Sequence, residues 1–140
     1  MKASLKEAIC HILQRLGLIS DWVVEQGTSG IWTYRKWNSG IAECWGTKEK
    51  SITGVSKTAP FSGYCYSFGS INYPSDLFNS TPTGVVSCRT GDLYNVVSYS
   101  NVYGNNLSVE LQSNASGTRT CYAYIYLIGL WKSFSGGGSA

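Results

Sequence analysis

The sequence predicts an all-β domain, built as an antiparallel β-sandwich and preceded by a short N-terminal helix. Turn-forming residues recur about every 8–12 residues through the middle of the chain, with short strand-like runs between them, a spacing typical of sandwiches and barrels. Hydrophobic residues make up 43% of the 140 residues, so the chain can bury a core. Charged residues are only 14%, and Ser, Thr, Asn, Gly and Tyr take their place, as expected of a β domain with uncharged polar loops.

The composition also argues against several classes of protein. Aromatic residues make up 14% of the chain, whereas intrinsically disordered chains have few of them. The net charge of +3 comes without a long run of Lys or Arg, so we expect no nucleic-acid partner. No stretch approaches the roughly 18 apolar residues of a membrane span, and residues 8–19 lack the cleavage site of a signal peptide. We therefore expect neither membrane insertion nor a secretory signal.

The first element is predicted to be a helix. Ser4 and Glu7 have the spacing of a capping box, and Gly17 supplies the left-handed residue that ends many helices. Four apolar residues recur at the 4-3-4 spacing of a coiled-coil seam: Leu5, Ile9, Ile12 and Leu16. This seam packs either on the β domain of the same chain or, as the stub of an oligomeric stalk, on the same helix of other copies. In that register Cys10 and His11 face outward.

The next segment predicts a β-hairpin. Residues 32–37 and 41–45 are strand-like, and Asn38-Ser39-Gly40 is a common three-residue hairpin loop. This loop length places Arg35 opposite Glu43, between large aromatic residues on the same face. Two interpretations stay open: a half-exposed pair worth under about 1 kcal/mol, or a buried or interfacial pair that fixes the strand register.

The last strand, residues 120–131, is apolar on both faces. Cys121, Ala123, Ile125, Leu127 and Trp131 alternate with Tyr122, Tyr124, Tyr126, Ile128 and Leu130. A strand of this kind is covered on both sides, and in a small domain an oligomer interface is the natural second cover. The predicted organisation is a helical stub and linker at residues 1–20, a β-sandwich domain at 21–132, and a flexible Gly/Ser tail at 133–140.

Two stretches combine tyrosine with amide and hydroxyl groups. Tyrosine offers a flat amphipathic face at little entropy cost, and asparagine offers adaptable hydrogen bonds, which suits sugar rings and their hydroxyls. Ordinary β-turns with half-buried tyrosines are the alternative. The candidate receptor-binding residues are Asp92, Tyr94, Asn95, Tyr99, Asn101, Tyr103, Asn105 and Asn106.

Catalytic chemistry is not indicated. His11 is the single histidine, and no carboxylate is placed to orient it as a triad would require. The five cysteines are scattered without a CxxC pair, so we predict free thiols and no zinc site. No phosphate-binding loop or metal-ligand cluster appears. We expect no catalytic residue, no metal and no cofactor, and hence a protein that is not an enzyme.

Three segments resemble one known family. The stretch WTYRKWNSGIAECWG, residues 32–46, resembles a signature near the C-termini of tail-fibre and minor structural proteins of phages and prophages of Gram-positive gut bacteria. The stretches DWVVEQG, residues 21–27, and YLIGLWK, residues 126–132, are similar to the same family. Residues 73–86 match it more loosely. The resemblance covers both ends of the β domain firmly and its centre weakly.

This resemblance implies a receptor-binding head, a homotrimeric β-sandwich knob at a fibre tip that is entered through a coiled coil. The implied partners are two further copies and a host cell-surface receptor, a glycan or a protein. The implied location is the virion tail, after synthesis in the host bacterial cytoplasm. Residues expected at the trimer interface or in structural roles are Leu5, Ile9, Ile12, Leu16, Trp32, Arg35, Trp37, Glu43, Trp45, Tyr124, Tyr126 and Trp131.

Two other functions stay open. The chain could be a monomeric carbohydrate-binding module of a bacterial surface protein, with its helix packed on the sandwich. It could also be a purely structural trimerisation cap whose loops bind nothing.

Overall fold

The computed structural model describes residues 4–58, 62–91 and 97–133, with the backbone alone at residues 97–99. The chain begins with helix α1, Leu5–Arg15. The Ser4 side chain accepts a hydrogen bond of 3.1 Å from the Glu7 amide, which caps the first turn. Gly17 has a φ of +73° and follows the helix. The predicted helix is therefore confirmed, with the start and end that its capping residues indicate.

Two antiparallel sheets follow the helix. The five-stranded sheet has the order β1-β2-β3-β9-β6, and the four-stranded sheet has the order β4-β5-β8-β7. The strands are β1 (Val23–Ser29), β2 (Trp32–Trp37), β3 (Ile41–Thr53), β4 (Val55–Lys57), β5 (Gly63–Asn72), β6 (Thr83–Thr90), β7 (Val97–Val102), β8 (Asn106–Ser113) and β9 (Thr118–Leu130).

The predicted hairpin and its register are confirmed in strands β2 and β3. Arg35 pairs with Glu43, and Thr33 pairs with Trp45. Gly40 adopts a φ of +102°, and its amide donates to the Trp37 carbonyl at 3.0 Å, which closes the three-residue loop. Loop length fixed this register, because a two-residue or four-residue loop would place other residues opposite Glu43.

One strand is longer than predicted. Strand β3 continues eight residues beyond Trp45, to Thr53, and pairs with β9 along its whole length. This second half is rich in charged and polar residues, so its hydrophobic alternation is weak and the sequence gives little sign of it.

The buried side chains of both sheets join in one hydrophobic core. Tyr66, Leu107 and Leu111 of the four-stranded sheet and Cys44 and Leu127 of the five-stranded sheet are fully buried in it. The all-β class is therefore confirmed, and the sandwich arrangement stays a prediction. The homotrimer stays a prediction.

Strand β9 has the two faces that the sequence predicts. Its inward residues are buried, namely Cys121, Ala123, Ile125 and Leu127. On its outer face, Tyr124, Ile128 and Leu130 are exposed in the single chain. The second apolar face of the strand is thus uncovered.

Candidate functional site

The outer side of the five-stranded sheet carries a continuous surface that we call the aromatic face. Paired residues of neighbouring strands share a side of a sheet, so the register shows which residues meet there. Tyr126 pairs with Trp45 of β3 on one side and with Val85 of β6 on the other. The residues that define the aromatic face are Arg35, Trp37, Ile41, Glu43, Trp45, Val85, Arg89, Tyr122, Tyr124, Tyr126, Ile128 and Leu130, and the polar residues Thr33, Thr47, Glu49, Thr83 and Ser87 lie on the same side.

Glu43 is the polar centre of the aromatic face. Its Oε1 accepts a hydrogen bond of 3.1 Å from the Trp37 indole, and its Oε2 accepts one from the Tyr126 hydroxyl. Its side chain is only 15% exposed, and the nearest Arg35 nitrogen lies 4.0 Å away. The direct ion pair is therefore long, and Glu43 is held mainly by two aromatic donors.

Arginine side chains stack on this face rather than projecting away from it. The Arg35 guanidinium lies 4.7 Å from the centre of the Trp45 ring. The Arg89 guanidinium lies 4.2 Å from the centre of the Tyr122 ring, and its Nε donates to the Tyr124 hydroxyl at 2.7 Å. Guanidinium groups placed over aromatic rings suit a packed surface, because they keep hydrogen-bonding capacity at their edges.

A second apolar surface lies on α1. The four seam residues and Leu18 are exposed in the single chain, and the seam does not pack on the β-sheets. The side of the helix that contacts the β domain is a different one. There the His11 ring meets the Trp22 ring edge-on, with 4.8 Å between their centres. His11 lies off the seam and is exposed, as expected, and Trp22, directly before β1, provides a ring that it contacts.

One concave feature is a cleft of about 860 Å³ that we call the loop cleft. It lies where the β1–β2 turn, the β7–β8 turn and the segment after β5 meet beside strand β3. Its lining includes Trp32, Lys48, Asn72, Asp76, Phe78 and Asn105.

Two aromatic hydrogen bonds hold the walls of the loop cleft in place. The buried Trp32 indole of β2 donates to the Asn72 carbonyl at the end of β5, at 2.8 Å. The buried Tyr73 hydroxyl donates to the Tyr103 carbonyl in the β7–β8 turn. Each bond joins segments that are far apart in sequence, so the cleft is preformed rather than shaped by loose loops.

The loop cleft contains one positive and one negative side chain. Lys48 is half-buried, and Asp76 is exposed in a turn with a φ of +63°. Asp76 is the only non-glycine residue with a positive φ in the described ranges. The ion pairs found among the same residues are Arg35–Glu43 and Lys36–Glu25, so Lys48 and Asp76 do not neutralise each other by direct contact.

The structure brings half of the predicted binding residues together. Tyr103, Asn105 and Asn106 lie in or beside the β7–β8 turn, and the Asn106 amide donates to Asn105 Oδ1 at 2.7 Å. Asn101 is exposed and pairs with Ser108 of β8. Asp92, Tyr94 and Asn95 lie outside the described residues, as does the side chain of Tyr99.

Several residues of the loop cleft were not among the predicted binding residues, chiefly Lys48, Asn72, Asp76 and Phe78. Lys48 lies in a segment of low hydrophobicity. The one signal in the sequence is the run Tyr73-Pro74-Ser75-Asp76, which is typical of a turn, and Asp is enriched in left-handed turn positions.

Among the predicted structural residues, Trp32 is buried in the core, so its role is internal. Trp131 is half-buried and donates from its indole to the Trp37 carbonyl at 2.8 Å. No disulfide joins the five cysteines in the described residues.

Burial raises the pKa of the Cys44 thiol to about 12 and makes it unreactive at neutral pH. In the described parts of the chain no group of three or more His, Cys, Asp or Glu side chains is placed to hold a metal ion. Within the same parts, α1 falls short of the length and apolar character of a membrane-spanning helix.

The fold is similar to that of two solved tail-fibre structures. One is an N-truncated R1-type pyocin tail fibre, with a TM-score of 0.54 at 10% identity over 91% of this chain and 98% of the other. The second is a C-terminal part of the P. aeruginosa R1 pyocin fibre, with a TM-score of 0.54 at 11% identity over 91% of this chain and 32% of the other. No family model and no curated protein sequence matches the chain. At this level of identity the fold is what is shared.

Proposed function

We propose that this chain is the receptor-binding head of a phage-type tail fibre, which assembles as a homotrimer and attaches to a glycan on the host cell surface. The observation that carries the proposal is the likeness to the R1-type pyocin tail fibre, which extends over 91% of this chain and 98% of that one. The proposed activity is binding, without a catalytic step, a metal or a cofactor. The proposed location is the tip of the virion tail.

Two uncovered apolar surfaces support the homotrimer. The seam of α1 and the aromatic face are both exposed in the single chain, and monomeric proteins rarely leave large apolar patches open. In the proposed trimer, the seams of three helices pack together as a short coiled coil. The aromatic faces of the three sheets pack below it around the same axis.

The outer side of the four-stranded sheet has the opposite character and suits contact with solvent and receptor. Paired positions on that side are Ser70 with Ser108 and Asn72 with Asn106, together with Asn101 of β7. Amide and hydroxyl groups dominate here, whereas aromatic and aliphatic groups dominate the other sheet. We therefore propose that the five-stranded sheet forms the subunit interface and that the four-stranded sheet stays accessible to the receptor.

The resemblance of residues 32–46 to fibre proteins of Gram-positive gut bacteria suggests the host. The test is to incubate the dye-labelled protein with a panel of such bacteria, before and after periodate oxidation of their surface sugars. We expect saturable binding to a subset of strains, which oxidation abolishes. Binding to no strain by a trimeric protein would instead support a structural cap. Sugar binding by a monomer would support a stand-alone carbohydrate-binding module.

A further inference from the structure

We propose that the loop cleft is the sugar-binding site of this head, and that it takes an uncharged oligosaccharide between Lys48 and Asp76. This inference rests on the proposed function, since it names the site and the class of glycan. It places recognition in a preformed cleft between two sheets rather than along the β7–β8 turn alone.

The size and lining of the loop cleft fit a short sugar chain. Its volume of about 860 Å³ lies within the range of ordinary small-ligand sites. Phe78 is half-buried and lines the cleft, and the Tyr73 ring holds it edge-on with 5.7 Å between ring centres. An aromatic ring fixed in this way offers a flat apolar surface for the C–H face of a sugar ring.

Two polar residues that line the loop cleft, Ser70 and Asn105, are linked through Asn106. Ser70 Oγ donates to Asn106 Oδ1 at 3.5 Å, and Asn106 Nδ2 donates to Asn105 Oδ1 at 2.7 Å. The Asn105 oxygen is therefore engaged by Asn106, and its side-chain nitrogen is the group of Asn105 that can donate to a sugar hydroxyl. A side chain already held by a hydrogen bond loses less freedom on binding, which favours affinity.

The charges of the cleft favour an uncharged ligand. Lys48 and Asp76 are the only charged residues among those that line it, so its formal charge is zero. An ammonium group donates hydrogen bonds and a carboxylate accepts them, and a sugar with neighbouring hydroxyls satisfies both. An anionic sugar would meet the carboxylate of Asp76, and a cationic one would meet Lys48.

The backbone at Asp76 supports a functional role for this turn. A left-handed conformation costs energy for any residue with a side chain, and such positions cluster at binding sites. Asparagine tolerates the same conformation, so Asp76→Asn changes the charge and keeps the turn.

A smaller cleft of about 210 Å³ shares Ser29, Pro74, Ser75 and Asp76 with the loop cleft. The same turn therefore borders two concave surfaces, and Asp76 lies between them. A ligand that extends from the loop cleft into the smaller cleft must contain more than one sugar unit. We expect a trisaccharide to bind more tightly than its terminal monosaccharide.

The test is an array of neutral, carboxylated and phosphorylated oligosaccharides, followed by titration calorimetry with the strongest hit. We expect binding to neutral oligosaccharides, with a dissociation constant that changes little when the salt concentration rises. Asp76→Asn and Lys48→Gln should each weaken binding about tenfold, the effect of one lost charge-assisted hydrogen bond. Glu7→Gln and Lys57→Gln make the same charge changes outside the cleft, at exposed or half-buried residues, and should leave the affinity unchanged.

Three results would overturn the inference. Equal affinity in wild type, Asp76→Asn and Lys48→Gln, with unchanged melting temperatures, would move the sugar site elsewhere and leave the proposed function standing. Preference for carboxylated or phosphorylated sugars, with strong salt dependence, would reject the uncharged class. Binding to cells but to no oligosaccharide would assign attachment to a protein receptor instead.

Discussion

The Tyr126 hydroxyl donates a hydrogen bond to Glu43 Oε2 and thereby joins β9 to β3 at the centre of the aromatic face. The bond to Glu43, together with partial burial, raises the pKa of Tyr126 to about 12. The neutral phenol is thus favoured in the folded chain. A carboxylate surrounded by aromatic donors can lie in an apolar interface, because its charge is already shared by hydrogen bonds.

This pKa shift predicts a loss of stability at high pH. The unfolded tyrosine ionises near pH 10 and the folded one near pH 12. The stabilisation is complete below pH 10 and is lost as the pH rises toward 12, since the unfolded state releases its proton first. Urea denaturation at a series of pH values should therefore show a falling free energy of unfolding over this window.

The variant Tyr126→Phe isolates this effect, because burial also raises the pKa values of the Cys44 and Cys65 thiols, to about 12 and about 11. Those thiols titrate in both proteins, so the difference between the two curves belongs to Tyr126. We expect the free energy of unfolding to fall less steeply with rising pH in Tyr126→Phe than in the wild type. Parallel curves for the two proteins would contradict the pairing with Glu43.

Two buried tryptophans form a matched pair for testing the bond between the sheets. The Trp32 indole donates to Asn72 at 2.8 Å, whereas the Trp22 indole nitrogen is buried without a hydrogen-bond partner in the described chain. Both changes, Trp32→Phe and Trp22→Phe, remove similar volume. We expect Trp32→Phe to lower the free energy of unfolding by about 1–3 kcal/mol more than Trp22→Phe. Thermal and urea denaturation measure both variants. If Trp32→Phe and Trp22→Phe lose the same free energy of unfolding, the hydrogen bond to Asn72 contributes nothing to stability.

The helix seam is tested by a pair of leucines of equal exposure. Leu16 and Leu18 are each 66% exposed in the single chain, but only Leu16 belongs to the seam. In a trimer, Leu16→Asp places three carboxylates near one axis and should weaken assembly. Leu18 lies beyond the helix, so the variant Leu18→Asp should assemble as the wild type does. Light scattering at decreasing protein concentrations measures the oligomer mass of each variant. If both variants dissociate at the same concentration, the seam is not part of the interface.

The aromatic face is tested by a pair of exposed valines. Val85 is 68% exposed on the five-stranded sheet, and Val55 is 59% exposed on the four-stranded sheet. We expect Val85→Glu to shift the protein toward monomers, because a buried unpaired charge is costly. Val55→Glu should leave the mass unchanged. Dissociation by Val55→Glu but not by Val85→Glu would instead place the subunit interface on the four-stranded sheet.

The sequence predicted local features well because local rules determine them. The seam of α1 follows from spacing alone, and the pairing of Arg35 with Glu43 follows from a three-residue loop. The two faces of β9 follow from alternation.

The loop cleft could not be predicted in the same way. Its lining comes from separate segments between Ser29 and Asn105, and long-range packing alone brings them together. Lys48 lies in the second half of β3, where charged neighbours weaken the alternating hydrophobic pattern by which a strand is recognised in a sequence. The bonding of Glu43 to Tyr126 joins residues 83 positions apart, so only the fold shows that an aromatic donor, rather than Arg35, is its main partner.

The mass of the unmodified protein in solution decides whether the two uncovered apolar surfaces are subunit interfaces. Light scattering on a sizing column at low micromolar concentration, with reductant present for the free thiols, gives this mass directly. The homotrimer predicts a value near three times the 15.3 kDa of the single chain. A stable value of 15.3 kDa would contradict it, since the α1 seam and the aromatic face would then both remain exposed to water.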